Sequence, residues 1–159
     1  VDPFEVRLAA EADAEAIADV WLSSRQDALG QIPAPVHSDD EVRRWIRFRL
    51  IAKLECWVAE APDRELVGLL ALEDGWVDQL YVRTRWQARG VGSALLEQAK
   101  RLRPDGLQLW TFASNLAARH FYEQRGFTAI EQTDGADNEE RAPDVHYVWA
   151  PGEWNIPRS

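Results

Sequence analysis

One cysteine, Cys56, is all that the 159 residues offer, so no internal disulfide holds this fold together. Histidine is nearly as scarce. His37, His120 and His146 stand too far apart to make a local metal-binding pattern, and no metal is expected. Long apolar runs are missing: none approaches the roughly 18 residues that cross a bilayer. The acidic opening VDPFEVRL has neither the basic nor the apolar region of a secretory leader. Positive charge is in deficit as well. Eighteen Lys and Arg against 27 Asp and Glu leave a net charge of −9, the wrong sign for a protein that neutralises phosphates along a nucleic acid. These absences exclude a disulfide scaffold, a membrane span and a general nucleic-acid binder. They lead us to expect a cytoplasmic protein, a monomer or homodimer, with no nucleic-acid or membrane partner. The net negative field suits a cationic small molecule or peptide, although acidity commonly serves solubility alone.

What is present is an ordinary globular composition, 46% apolar and 28% charged, at a length that one core can serve. We expect one domain over residues 1–159, with no internal repeat. FEVRLAA reads as a strand, and EADAEAIADVWLSSRQDAL as a helix with Ile17, Val20, Trp21 and Ala28 at helical spacing. A second helix begins at SDDEVRRWIRFRL, where Ser38 and Glu41 make a capping-box pattern. ECWVAEA, ELVGLLALED and GWVDQLYV read as an antiparallel meander, GVGSALLEQAKRL as a helix and LQLWTF as a strand. NLAARHFYEQRG is a short helix ending at Gly126, and FTAIEQ and VHYVWA close a hairpin around the polar loop TDGADNEERAPD, expected to be a solvated tip. The order is β-α-α-β-β-β-α-β-α-β-β: an α+β, mixed α/β domain, with one parallel crossover from GWVDQLYV to LQLWTF.

The stretch RWQARGVGSALLEQAK puts Gly90 and Gly92 at the mouth of a helix, where glycine needs a reason. A Walker pattern fails, because Ser93-Ala94 follows the second glycine, and a dinucleotide pattern fails where Leu95 replaces a small residue. The spacing that fits is Q-x-x-G-x-G: Gln87, Gly90 and Gly92 straight after a strand. A loop of this shape aims the amides of Gln87 or Ala88, Arg89, Gly90, Val91, Gly92 and Ser93 at one spot, and the helix dipole adds positive charge there. That suits a pyrophosphate, with a Cβ at Gly90 or Gly92 keeping phosphate oxygens off the backbone. The plainer alternative is a turn eased by glycine.

Taken together, DQLYVRTRWQARGVGSALLEQA and LWTFASNLAARHFYEQRGF resemble the acyl-CoA-binding motifs of the GNAT superfamily of N-acetyltransferases. The matched core runs from Trp76 to Phe127, and the element order on either side is also similar. One departure is Arg85-Trp86, where such proteins often carry proline and a small or acidic residue. The resemblance implies a central, mostly antiparallel sheet flanked by helices, with one parallel strand pair splayed to receive the pantetheine arm of acetyl-CoA. It implies that Leu80, Tyr81 and Val82 present backbone groups to that arm, that Asn115 hydrogen-bonds the donor, and that Tyr122 is the general acid. Asn115 reads equally as a helix N-cap, and Tyr122, next to Phe121, as a core aromatic.

Acetyl transfer to an amine also needs a proton acceptor. Asp78 shares strand parity with Leu80 and Val82 and is our candidate, with Glu73, Glu139 and Glu140 as rivals. Cys56, in an apolar strand, reads as a buried thiol and not as an acyl carrier. Trp21, Arg25 and Trp45 are candidates for an acceptor wall. The expected activity is acetyl transfer from acetyl-CoA to a primary amine of a small molecule or peptide by direct attack in a ternary complex. A non-catalytic acyl-CoA-binding or sensing module is the alternative, and an enzyme using another nucleotide-like cofactor is disfavoured by the failed glycine patterns.

Overall fold

The computed structural model describes residues 3–151. β1 (Glu5–Leu8) leads through a single 3₁₀ turn into α1 (Ala14–Asp27), and α2 (Asp39–Trp45) follows. The capping box forms as expected: Ser38 Oγ accepts from the Glu41 amide at 3.2 Å, and the Ser38 amide donates to Glu41 Oε1 at 3.2 Å. From Ile46 to Leu50 the helix widens into a π-helical turn before its last short piece, α3 (Ile51–Lys53). β2 (Glu55–Glu60), β3 (Leu66–Glu73) and β4 (Trp76–Val82) form the meander. Then come α4 (Val91–Leu102), β5 (Leu107–Phe112), α5 (Leu116–Gln124), β6 (Thr128–Thr133) and β7 (Asp144–Trp149).

The strands make one seven-stranded sheet in the order β1-β2-β3-β4-β5-β7-β6. Every neighbouring pair is antiparallel except β4 and β5. β3 runs as a near-continuous apolar stretch, LVGLLALE, because it is central and covered on both faces. On one face α4 and α5 pack through Val91, Leu95, Leu96, Ala99 and Tyr122; on the other α1, α2 and the π-helical turn pack through Ile17, Val20, Trp21, Val42 and Ile46. Fully burying side chains such as Leu95 and Leu96 contributes about 1.5–3 kcal/mol each, so each helix is held by its apolar stripe. Among the described residues, no helix is long and apolar enough to cross a membrane.

Two irregularities shape the centre of the sheet. β4 and β5 share one bridge, Trp76 with Gln108, and pair no further. Beyond it the strands diverge, leaving Asp78 to Val82 without a partner strand on that side. In addition, Ala71 faces Gln79 while Leu72 faces Val77, so Asp78 is the extra residue of a β-bulge.

Candidate functional site

The gap between β4 and β5 opens into a cavity of about 640 Å³ whose walls include Leu80, Tyr81, Leu109, Phe112, Asn115 and Tyr122. A second cavity of about 510 Å³ lies between α1, α2 and β4, walled by Trp21, Arg25, Val42, Trp45 and Glu139 among others. Asp78, Gln79, Tyr81 and Glu140 line both. A molecule in the second cavity therefore meets a molecule in the first across these four residues.

At one end of the gap the chain turns from β4 into α4. Ala88 (φ 62°) and Gly90 (φ 87°) both adopt left-handed backbone there, which turns successive amides toward one side. Val91, Gly92 and Ser93 open the helix, and their amides have no carbonyl a turn earlier to bond. The Gln87 amide is different: it donates to Thr84 O at 3.1 Å, so the amides left free for the expected cradle begin at Ala88. The two glycines also differ. A Cβ at Gly90 would face open space, whereas one at Gly92 would lie 3.3 Å from the Phe121 ring. Gly92 admits close packing of α4 on α5, and the left-handed backbone belongs to Gly90.

Along β4 the backbone alternates. The Arg83 amide bonds Val67 O at 2.9 Å, so Tyr81 turns its backbone groups to β3, and Leu80 and Val82 turn theirs to the gap. The Val82 carbonyl accepts from Ser24 Oγ at 3.5 Å and Gln87 Nε2 at 3.4 Å, both long contacts. Asn115 Oδ1 accepts from the Ala118 amide at 3.2 Å and caps α5, and the same residue lines the larger cavity. It thus serves the helix and faces the gap.

Tyr122 is 8% exposed, with Phe121, Phe127 and Tyr147 rings around it. Its hydroxyl carries no hydrogen bond among the described residues and lines the larger cavity. Burial, reinforced by Tyr81 nearby, pushes its pKa well above that of a free phenol, so the hydroxyl stays protonated. Tyr147, deeper still, is tied: it donates to Glu123 at 2.6 Å and accepts from Arg119 Nε at 3.1 Å.

The bulge corrects the parity expected for Asp78. Val77, Leu80 and Val82 pack on the α4 side, Gln79 and Tyr81 face α1, and Asp78 is set off from both series. It is exposed and lines both cavities. Its orientation is fixed by a relay: Trp21 Nε1 donates to Gln79 Oε1 at 3.1 Å, and Gln79 Nε2 donates to Asp78 Oδ2 at 3.1 Å. Of its rivals, Glu140 lines both cavities, Glu139 lines the smaller one, and Glu73 ends β3 and lines neither. Cys56 is buried, donates to Leu50 O at 3.6 Å, and has its thiol pushed up to about 12 by burial and by the Asp78 and Glu55 charges; it is no nucleophile.

The polar β6–β7 loop is not a free tip. Asp137, Asn138, Glu139 and Glu140 reach the cavity walls, and Asn138 Nδ2 braces the loop by donating to Ala142 O at 2.7 Å and Asp144 Oδ2 at 3.2 Å. His37, before α2, meets Glu139 at 3.2 Å and Glu41 at 3.3 Å, which straps the loop across the smaller cavity. Trp21, Arg25 and Trp45, the candidates for an acceptor wall, all line that cavity. Gln79 and the loop backbone gave no signal in the sequence; only the Asp134-Gly135 turn pair hinted at an ordered loop.

The family described as acetyltransferase (GNAT) domain matches residues 52–129. The chain is 27% identical over 127 residues to the peptidyl-lysine N-acetyltransferase YiaC of Escherichia coli, covering 79% of this chain and 84% of that protein. Among solved structures it resembles apo-form YjaB from Escherichia coli, with TM-score 0.73, 21% identity and coverage of 92% and 97% of the two chains. It also resembles the PaiA N-acetyltransferase of Thermoplasma acidophilum in complex with coenzyme A, with TM-score 0.71, 20% identity and coverage of 93% and 99%.

Proposed function

Because the chain belongs to the GNAT superfamily and is an N-acetyltransferase, we propose that it moves an acetyl group from acetyl-CoA to a primary amine of a small molecule or peptide by direct attack in a ternary complex. The observation that carries this reading is the splay: one backbone bridge, then a cavity between two parallel strands with the unpartnered hydroxyl of a largely buried tyrosine in its wall. The residues present fit acetyl-CoA. The amides of Ala88 to Ser93 would hold its pyrophosphate, and Leu80 and Val82 would present backbone groups to the pantetheine. When bound, this donor supplies a thioester carbonyl open to attack.

Everything else falls to the chain. Asp78, held by Gln79, stands where the two cavities meet and would take the proton from the incoming ammonium, directly or through one water. Tyr122 would donate its proton to the departing thiolate. Its raised pKa makes it a reluctant acid in water, but the thiolate forms in the same desolvated gap, where an anion is costly unless a donor faces it. The apolar part of the wall, Leu80, Leu109 and Phe112, would limit the water that competes for the acetyl group. Cys56, buried and protonated, would take no part, which favours direct attack.

Thermal unfolding tests the donor. Coenzyme A and acetyl-CoA should raise the melting temperature, and NAD and ATP should not, because only the folded protein presents the cradle. Equal stabilisation by NAD would refute the assignment. Release of free thiol with a panel of amines then reads turnover.

A further inference from the structure

Arg25 is 5% exposed and lies in the wall of the smaller cavity. Its guanidinium lies 5.0 Å from the Trp21 ring centroid and 5.8 Å from that of Phe112. Its hydrogen bonds are few and long: Nη1 donates to the Tyr81 hydroxyl at 3.3 Å and Nη2 to Pro33 O at 3.3 Å. Nε, fully buried, has no partner among the described residues. The nearest carboxylate, Glu140, stands 3.7 Å from Nη2, near enough to balance the charge and too far for a hydrogen bond. A buried N–H without an acceptor is a standing cost, and an Nε–Nη2 edge, once a small shift of the side chain opens Nε to the cavity and loosens the long Nη2 bond, fits a carboxylate with two parallel bonds.

We infer that, within the acetyl transfer proposed above, the acceptor is a free α-amino acid with an apolar or aromatic side chain, and that Arg25 reads its carboxylate. Position supports this class. Arg25 touches Tyr81 and faces Glu140, two of the four residues shared by the cavities. A carboxylate on Arg25 leaves an amine one carbon away at that junction, beside Asp78, whereas a lysine side chain holds its amine several carbons from any carboxylate. Trp21, Trp45, Val42 and Tyr81 supply the apolar slot for the side chain, with Trp21 edge-on to both Trp45 (6.2 Å) and Tyr81 (6.0 Å). The other acidic groups of this cavity are spoken for: Glu41 and Glu139 hold His37, and Glu140 shifts from Arg25 toward the ammonium as the carboxylate docks. A zwitterion brings no net charge into the acidic site.

The test compares acceptors that differ only in the carboxylate, by thiol release from acetyl-CoA, with rates referred to the unprotonated amine. L-Tryptophan is set against tryptamine and its own methyl ester, L-leucine against isopentylamine, and a lysine peptide is included. The free amino acids should lead in kcat/KM by at least about tenfold, the scale of one hydrogen bond to a charge. Arg25→Gln should erase that lead through KM, and Arg25→Lys should restore part of it. The wild-type comparison of acid with ester stands even where a variant fails to fold. Turnover of the amines, the ester or the lysine peptide at equal or greater efficiency would overturn the carboxylate reading and leave acetyl transfer intact. Absence of thiol release with every acceptor, together with no stabilisation by coenzyme A, would overturn acetyl transfer itself and this inference with it.

Discussion

Tyr122 and Tyr147 sit 6.3 Å apart, centroid to centroid, and differ in what their hydroxyls do. Tyr147 is bonded on both sides to Glu123 and Arg119, while Tyr122 keeps an unpaired hydroxyl at a cavity wall. A core aromatic whose polar group is left unpaired at a cavity wall is a sign of function more than of packing. Tyr122→Phe removes that hydroxyl and leaves the rings of Phe121 and Phe127 in contact, so melting temperature and coenzyme A affinity should hold. Turnover should fall by roughly 10²–10⁴-fold in kcat and kcat/KM together, as for a lost general acid; a folded variant with wild-type kcat would make Tyr122 a core aromatic only. Tyr147→Phe, by contrast, should cost about 0.5–1.5 kcal/mol of stability with kcat kept. The HFYEQRGF motif singled out Tyr122, and nothing in the one-dimensional pattern told it apart from its neighbour Phe121 beyond that resemblance.

At the scale of elements, periodicity made α4 and the strands beside it readable, and the glycine spacing located the turn between them. What periodicity could not carry was the bulge at Asp78: an alternating pattern assumes a regular pleat, and one extra residue shifts every later side chain to the other face. The β6–β7 loop was illegible for another reason, since it is ordered by His37 on Glu139 and by the Ala113 amide, which donates to Pro143 O, both far away in sequence. Each element carries its own expectation. Gly90→Ala should cost about 1–2 kcal/mol because φ is +87° there, and it should weaken coenzyme A binding with it. Gly92→Ala should act through Phe121, so that adding Phe121→Leu recovers stability measured by chemical denaturation. In the strap, Glu139 and Glu41 raise the pKa of His37 above its usual 6.5. The ion pair is therefore complete below about pH 6.5 and is lost as pH rises through the raised value. An NMR titration of the His37 ring should show a midpoint above 6.5 that falls in Glu139→Gln; an unchanged midpoint would mean the loop is not strapped there.

For the molecule as a whole, the single bridge between β4 and β5 divides what is nominally one sheet into two hydrogen-bonded blocks, β1 to β4 and β5 with β7 and β6. Side chains span the seam: Leu95 and Leu96 from α4 share a cluster with Leu107, Leu109 and Tyr147. Backbone hydrogen bonds propagate order along a ladder, whereas side-chain contacts across a seam loosen one at a time, so the two blocks should behave as separate foldons. Amide hydrogen exchange of the free protein should show β5, β6 and β7 opening together at a lower free energy than β2 and β3. A donor lying in the seam would bond to both sides, and coenzyme A should then merge the two openings into one, slowing exchange in β7 as well as in β4. Uniform exchange across the sheet before any ligand is added would show that the seam is already mechanically closed. The interrupted ladder would thus make the donor a missing strand: a small molecule would complete the cooperativity of the whole sheet, and its loss at the end of each turnover would return the block of β5, β6 and β7 to a looser state.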